Sequence, residues 1–145
     1  MAEPFLSIVV PAYNEARRIH RTLEKLCHFK ELESYTIELI VVDDGSTDQT
    51  VETVLEFPAI RLVRNDRNHG KGFTVRHGVL EARGEFILFT DADLSTPIEE
   101  VDKLLRLCNP PAPMPPWVHA LLNANSSEFI SPGSVIWPGG FSICL

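Results

Sequence analysis

Four times before residue 109, a short run of β-branched and aliphatic residues gives way to a polar stretch and then to a helical pattern. The runs are LSIVV (6–10), IELIVV (37–42), IRLVR (60–64) and EFILFT (85–90). They are short enough for strands and nearly unbroken, as expected where both faces of a sheet are covered. Such alternation restricts the chain to an α/β architecture, with a mainly parallel sheet, flanking helices and right-handed crossovers.

The helical patterns supply the covering layers. Asn14 is the expected N-cap of a first helix, with Ile19, Leu23, Leu26 and Cys27 on one stripe and Arg17, Arg18, Glu24 and Lys25 off it. STDQ (46–49) reads as a capping box capped by Ser46, opening a second helix that turns Val51, Val54 and Leu55 inward. A third helix, around 72–82, places Val75, Val79 and Ala82 on one side. A fourth opens at TPIE (96–99), with Thr96 as cap, Pro97 at the first helical position and Glu99 closing a second capping box. Ile98, Val101, Leu104 and Leu105 form its apolar stripe.

This alternation fixes where a ligand belongs. In parallel sheets ligands bind beyond the carboxyl ends of the strands, where βα loops and helix N-termini converge. PAYNE (11–15), DDGSTD (43–48), NDRNHGKG (65–72) and DADLS (91–95) each follow a strand, so all four fall on one edge.

Asp91 and Asp93 alternate along extended backbone, so their side chains diverge unless the turn after the strand rotates one back. Read alone, the pair is a strand end and a turn; with Asp43 and Asp44 at a neighbouring strand end it becomes an acidic edge. Carboxylates converging without partners cost stability, so a cation or a ligand's hydrogen-bond donors are expected there. Mg2+ takes one or two carboxylates together with substrate phosphates. HGKGF (69–73) sets a glycine-flanked lysine before a helix, where an anion is favoured. Neither a P-loop nor a G-x-G-x-x-G fingerprint is present, and the five histidines lack metal-site spacing.

Composition narrows the partners. A formal charge of −7 argues against a broad grip on nucleic acid, leaving an anionic ligand to be held by local groups. The three cysteines are far apart and outside C-x-x-C spacing, which points to a reducing compartment. No stretch approaches the roughly 20 apolar residues of a membrane span, and FLSIVV, stopped by Pro11, fits a first strand better than a signal peptide. Residues 109–145 differ in character, holding seven of the eleven prolines and, among charged residues, only Glu128. That stretch is expected to be a Pro-rich, poorly ordered or non-family tail, with a small packed flap over the sheet edge as the alternative and VHALLNA (118–124) as its one further helix.

Taken together, SIVVPAYNEARRI, IVVDDGSTDQT, NHGKGFTVRHGV and ARGEFILFTDADLSTP resemble the family 2 glycosyltransferases, over roughly residues 5–107. The resemblance implies the GT-A fold: a Rossmann-like, mainly parallel sheet with flanking helices, here truncated, with residues 1–108 as the nucleotide-sugar-binding part. GKG followed by FTDADLSTPIEE looks most like the enzymes that transfer a sugar to a dolichyl or polyprenyl phosphate. By that resemblance Pro11, Ala12, Tyr13 and Glu15 line the nucleoside pocket, and Val42, Asp43 and Asp44 lie near the base or ribose. Lys71 lies close to a UDP- or GDP-linked donor. Asp91 and Asp93 hold Mg2+ or Mn2+ against the diphosphate, Ala92 allows close backbone approach, and Ser95 sits near the sugar-phosphate end. The implied location is cytoplasmic, including peripheral attachment at the cytoplasmic face of a membrane.

From residue 109 onward nothing matches the family pattern, and no general base is found. The expectation is a truncated or frame-shifted donor-binding half, with an inactive nucleotide-sugar-binding fragment as the alternative to an active transferase. A phosphotransfer receiver domain would need its acidic pair after the first strand, where PAYNE stands. A haloacid-dehalogenase-type phosphatase would place D-x-D near the start of its domain and add later Lys and acidic motifs not found here.

Overall fold

The computed structural model describes residues 3–94, 98–108, 134–136 and 142–144. Among them the chain runs β1 (Leu6–Ala12), α1 (Ile19–Leu32), β2 (Ile37–Asp43), α2 (Thr50–Leu55), β3 (Ile60–Arg64), α3 (Lys71–Glu81) and β4 (Phe86–Phe89). A 3-10 turn (Ile98–Glu100), α4 (Val101–Cys108), β5 (Ser134–Ile136) and β6 (Ser142–Cys144) follow. The sheet order is β3-β2-β1-β4-β6-β5, parallel throughout except for the β5–β6 pair. Two strands thus come from the stretch read as a tail, and VHALLNA lies outside the described residues.

Alternation along β1 sorts the core into two layers. Leu6, Ile8, Val10 and Ala12 point to one face, packed with Ile19, Leu23, Leu26 and Phe29 of α1, Val54 of α2, and Ile98, Val101 and Leu105. Val9, Ile40, Val42 and Ile87 point to the other, against Val79 of α3 and Ala82 at its C-cap. Near-continuous apolar strands are the consequence, since both faces are dry.

Three local expectations differ from the structure. Neither Asn14 nor Ser46 caps a helix: α1 starts at Ile19 and α2 at Thr50, with no side-chain cap bond at either N-cap residue. The two instead bond across loops: Asn14 N–H donates to Ser46 Oγ at 2.9 Å, and Thr47 N–H donates to Asn14 Oδ1 at 2.8 Å. Asn14 takes a left-handed φ of 54°, which Asn tolerates. Leu55 is 66 % exposed, because α2 ends there after less than two turns and only Thr50, Val51 and Val54 reach the core.

The third difference is the face of α3, where the buried residues are Thr74 and Gly78, with Val75, Val79 and Ala82 only half-buried. The helix lies so close to the sheet that a Cβ on Gly78 would overlap Val9 Cγ1 and come within 2.8 Å of Val42 Cγ2. Small residues therefore form its contact line. In α4 the apolar stripe is buried at Val101 and Leu105, following Ile98, whereas the Thr96–Pro97 cap lies outside the described residues.

Candidate functional site

All four loops after β1 to β4 converge on one cavity of about 380 Å³ at the carboxyl edge. That volume falls within the roughly 300–1,000 Å³ range of small-molecule sites. Of the residues singled out from sequence, Pro11, Ala12, Tyr13, Glu15, Asp44, Lys71, Asp91, Ala92 and Asp93 line it. Val42 and Asp43 do not: both are fully buried behind it. Ser95 lies outside the described residues. Asn68, Gly70 and Thr74 also line the cavity; the glycine-rich run before α3 was the available signal for them.

The D-x-D segment does turn back on itself. Leu94 N–H donates to Asp91 O at 3.0 Å, closing a turn that brings Asp91 and Asp93 to the same cavity. Leu94 sits at φ 49°, a costly conformation for a bulky residue. The turn is anchored by Thr22 of α1, whose buried hydroxyl donates to Ala92 O at 2.6 Å. Lys71, the first residue of α3, reaches across and sets Nζ 2.5 Å from Asp91 Oδ1.

The Asp43–Asp44 pair behaves differently from the unpartnered acidic edge expected of it. Asp44 Oδ1 accepts from Asn65 Nδ2 at 2.7 Å and from His69 N–H at 3.0 Å, while Oδ2 accepts from Gly70 N–H at 2.8 Å. Burial alone would raise the Asp44 carboxyl, but these bonds and one from Thr74 outweigh it and hold the group below its ordinary value. Asp43, wholly buried, accepts from Ser46 N–H and has Arg64 Nε 3.6 Å away. The protein therefore compensates this pair itself, and no cation is needed there. Asp44 ties the loop before α3 to the end of β2, which fixes the cavity floor.

Among the described residues no cluster of three or more His, Cys, Asp and Glu forms a metal cage. The donor set of the D-x-D turn is instead two carboxylates facing a cavity. That fits a hard divalent cation taking one or two carboxylates and completing its shell with substrate oxygens.

The family model described as "Glycosyl transferase family 2" matches residues 7–113, which takes in all four strand-end loops. The chain belongs to glycosyl transferase family 2. Among curated family 2 relatives, it is 41 % identical over 110 residues to the dolichyl-phosphate beta-glucosyltransferase of Mus musculus, covering 68 % of this chain and 34 % of that protein. It is 39 % identical over 113 residues to that of Saccharomyces cerevisiae, covering 71 % and 34 %. The chain thus spans about a third of the length of the curated relatives it matches.

Solved structures agree in fold. A mannosyltransferase from Pyrobaculum calidifontis in complex with GDP-Man and Mn2+ superposes with a TM-score of 0.64 at 27 % identity, over 77 % of this chain and 34 % of that one. Glucosyl-3-phosphoglycerate synthase from Mycobacterium tuberculosis, with Mn2+, UDP and glucosyl-3-phosphoglycerate, gives 0.57 at 27 % identity, over 71 % and 38 %. The GT-A reading of the fold holds. Among the described residues no helix is long and apolar enough to cross a membrane.

Proposed function

We propose that the cavity binds a nucleotide diphosphate sugar and presents it for glycosyl transfer to a polyprenyl phosphate such as dolichyl phosphate. The observation that carries this reading is the convergence of Asp91, Asp93 and Lys71 with the exposed ring of Tyr13 around one cleft of nucleotide size. Residues 1–108 form the donor-binding part in this reading. Tyr13, with Pro11, Ala12 and Glu15, takes the nucleoside; Tyr13 is 44 % exposed and so has a face free for stacking on the base. Asp44 shapes the floor under the ribose, backed by Val42 and Asp43. Lys71 exchanges Asp91 for the donor's diphosphate, and a contact with the sugar-phosphate end is assigned to Ser95 by the family resemblance alone.

Asp91 and Asp93 would hold Mg2+ or Mn2+, which when bound supplies Lewis acidity to the departing diphosphate. Ala92, with its small side chain, lets the diphosphate approach the backbone. An acceptor phosphate oxygen attacks the anomeric carbon from the face opposite the diphosphate. The new C–O bond forms as the old one breaks, the electron pair leaves with the nucleoside diphosphate, and the anomeric centre inverts. A phosphate monoester has a second pKa of about 6 and is already ionised at neutral pH. Such an acceptor needs no general base.

Support comes from relatives whose names specify dolichyl phosphate and glucose, and from structural neighbours bound to UDP or GDP-Man with Mn2+. A lipid-linked acceptor would bring the chain to a membrane surface, at the cytoplasmic face in our reading. A second reading is donor binding without transfer. Calorimetric titration with UDP-glucose and GDP-mannose, with and without Mn2+, tests the donor site. Metal-dependent binding of one donor is expected; no binding of either would overturn the proposal. Turnover of farnesyl phosphate to its glycoside would exclude the binding-only reading.

A further inference from the structure

A second cleft, of about 360 Å³, adjoins the donor cavity across the D-x-D turn, and its walls carry Arg17, Arg18, Arg21 and Lys25. Asp93 lines both clefts. The chain as a whole has 20 acidic against 13 basic residues, yet here four bases surround a hollow with Asp93 as the single acid in its lining. This reverses the sign of the global charge at one place beside the candidate reaction centre.

The arrangement is also locally unfavourable. Arg21 and Lys25 stand four residues apart on α1, where like charges repel, and Arg17 adds a third cation from the turn just before the helix. Arg18 is held by Glu15, at 2.9 Å. For Arg17, Arg21 and Lys25 no ion pair occurs among the described residues. An ordinary solvated helix face would intersperse acids at these positions, as α1 does elsewhere with Glu24 and Glu31.

The groove is also built into the site rather than laid on the surface. Its floor includes Thr22, the residue whose hydroxyl holds Ala92 O and so fixes the D-x-D turn. An anion lying here would sit on the far side of Asp93 from the donor cleft.

We propose that this groove binds the phosphate group of the acceptor. The inference rests on the donor reading above for its purpose, and on charge and placement for its location. An acceptor phosphate approaching a donor diphosphate and the D-x-D carboxylates meets strong repulsion. The four cations offset that repulsion and steer the anion to this side of Asp93. Arg17 and Arg21 offer forked donors suited to a phosphate and Lys25 adds a point charge, while Arg18, its fork engaged by Glu15, contributes to the field.

The test is calorimetric titration of the chain with farnesyl monophosphate below its micellar concentration. Arg21→Glu/Lys25→Glu and the neutral Arg21→Gln/Lys25→Gln serve as variants, all at exposed positions. Expected is binding by the wild type that weakens as salt rises, falls several-fold in the Gln pair and at least tenfold in the Glu pair. Affinity for UDP with Mn2+ should stay within twofold in both. Equal binding of farnesol, unchanged affinity in the Glu pair, or no binding by the wild type would overturn the proposal. So would phosphatidylserine vesicles that bind the groove and are not displaced by farnesyl phosphate, since that marks a general membrane contact. If UDP fails to bind while farnesyl phosphate behaves as expected, the donor reading falls and the anion groove stands.

Discussion

Asp44 and Asp91 are both strand-end carboxylates on one cavity, and their partners give them different work. Asp44 is fixed by backbone N–H groups and a buried amide, whereas Asp91 meets the 61 % exposed side chain of Lys71. Replacing Asp44 by Ala leaves those donors unsatisfied and is expected to cost about 2–4 kcal/mol of stability, read from urea midpoints. Because the folded-state value is lowered, the stabilisation is complete above the ordinary value of 3.8 and is lost as pH falls through the lower folded value. Midpoints measured between pH 6 and pH 2.5 should therefore fall less steeply at the acid end in Asp44→Asn than in the wild type. Lys71 competes for the same oxygen that a cation would use, so Lys71→Met should bind Mn2+ more tightly in the absence of nucleotide. The same substitution should weaken UDP binding roughly tenfold, and tighter UDP binding in the variant would contradict the role given to Lys71. The sequence revealed which carboxylates lie on the edge, but not which are already compensated. That depends on Asn65 and the His69 and Gly70 amides, which reach Asp44 only through the fold.

The elements were legible where a local pattern decides them. Unbroken β-branched runs marked β1 to β4 to within two residues, because burial on both faces leaves no room for polar alternation. Helix starts were less legible. Asn14 and Ser46 are favourable cap residues, yet they bond to each other 32 positions apart, a pairing that no four-residue window contains. The face of α3 was legible in part: apolar periodicity pointed to Val75, Val79 and Ala82, and Val79 and Ala82 do pack half-buried against the sheet, but close approach to β1 buries Thr74 and Gly78 most deeply. Gly78→Val should therefore overpack the α3–sheet contact and cost roughly 1–3 kcal/mol or more, measured by thermal and urea unfolding. An unchanged midpoint would mean that α3 packs less closely than described. Thr22→Val removes the bond to Ala92 O while keeping the volume. It should leave the global midpoint within about 1 kcal/mol and weaken metal-dependent nucleotide binding, linking α1 to the D-x-D turn.

At the scale of the whole molecule, the parallel sheet gathers four loops at one edge, and the two clefts beside the D-x-D turn divide that edge by charge. The donor cavity carries carboxylates and the Lys71 bridge, while the α1 groove carries cations. A nucleotide diphosphate sugar with its cation and an anionic acceptor would then meet at Asp93 from opposite sides. The central claim is that the D-x-D turn anchors the donor through a divalent cation completed by the diphosphate. Electron paramagnetic resonance of Mn2+ titrated into the chain, with and without UDP, measures this directly. The account predicts weak Mn2+ binding alone, strong binding when UDP is present, and loss of the ternary signal in both Asp91→Asn and Asp93→Asn. UDP binding that is as tight in a chelator as in Mn2+, or a ternary signal that survives both substitutions, would contradict it.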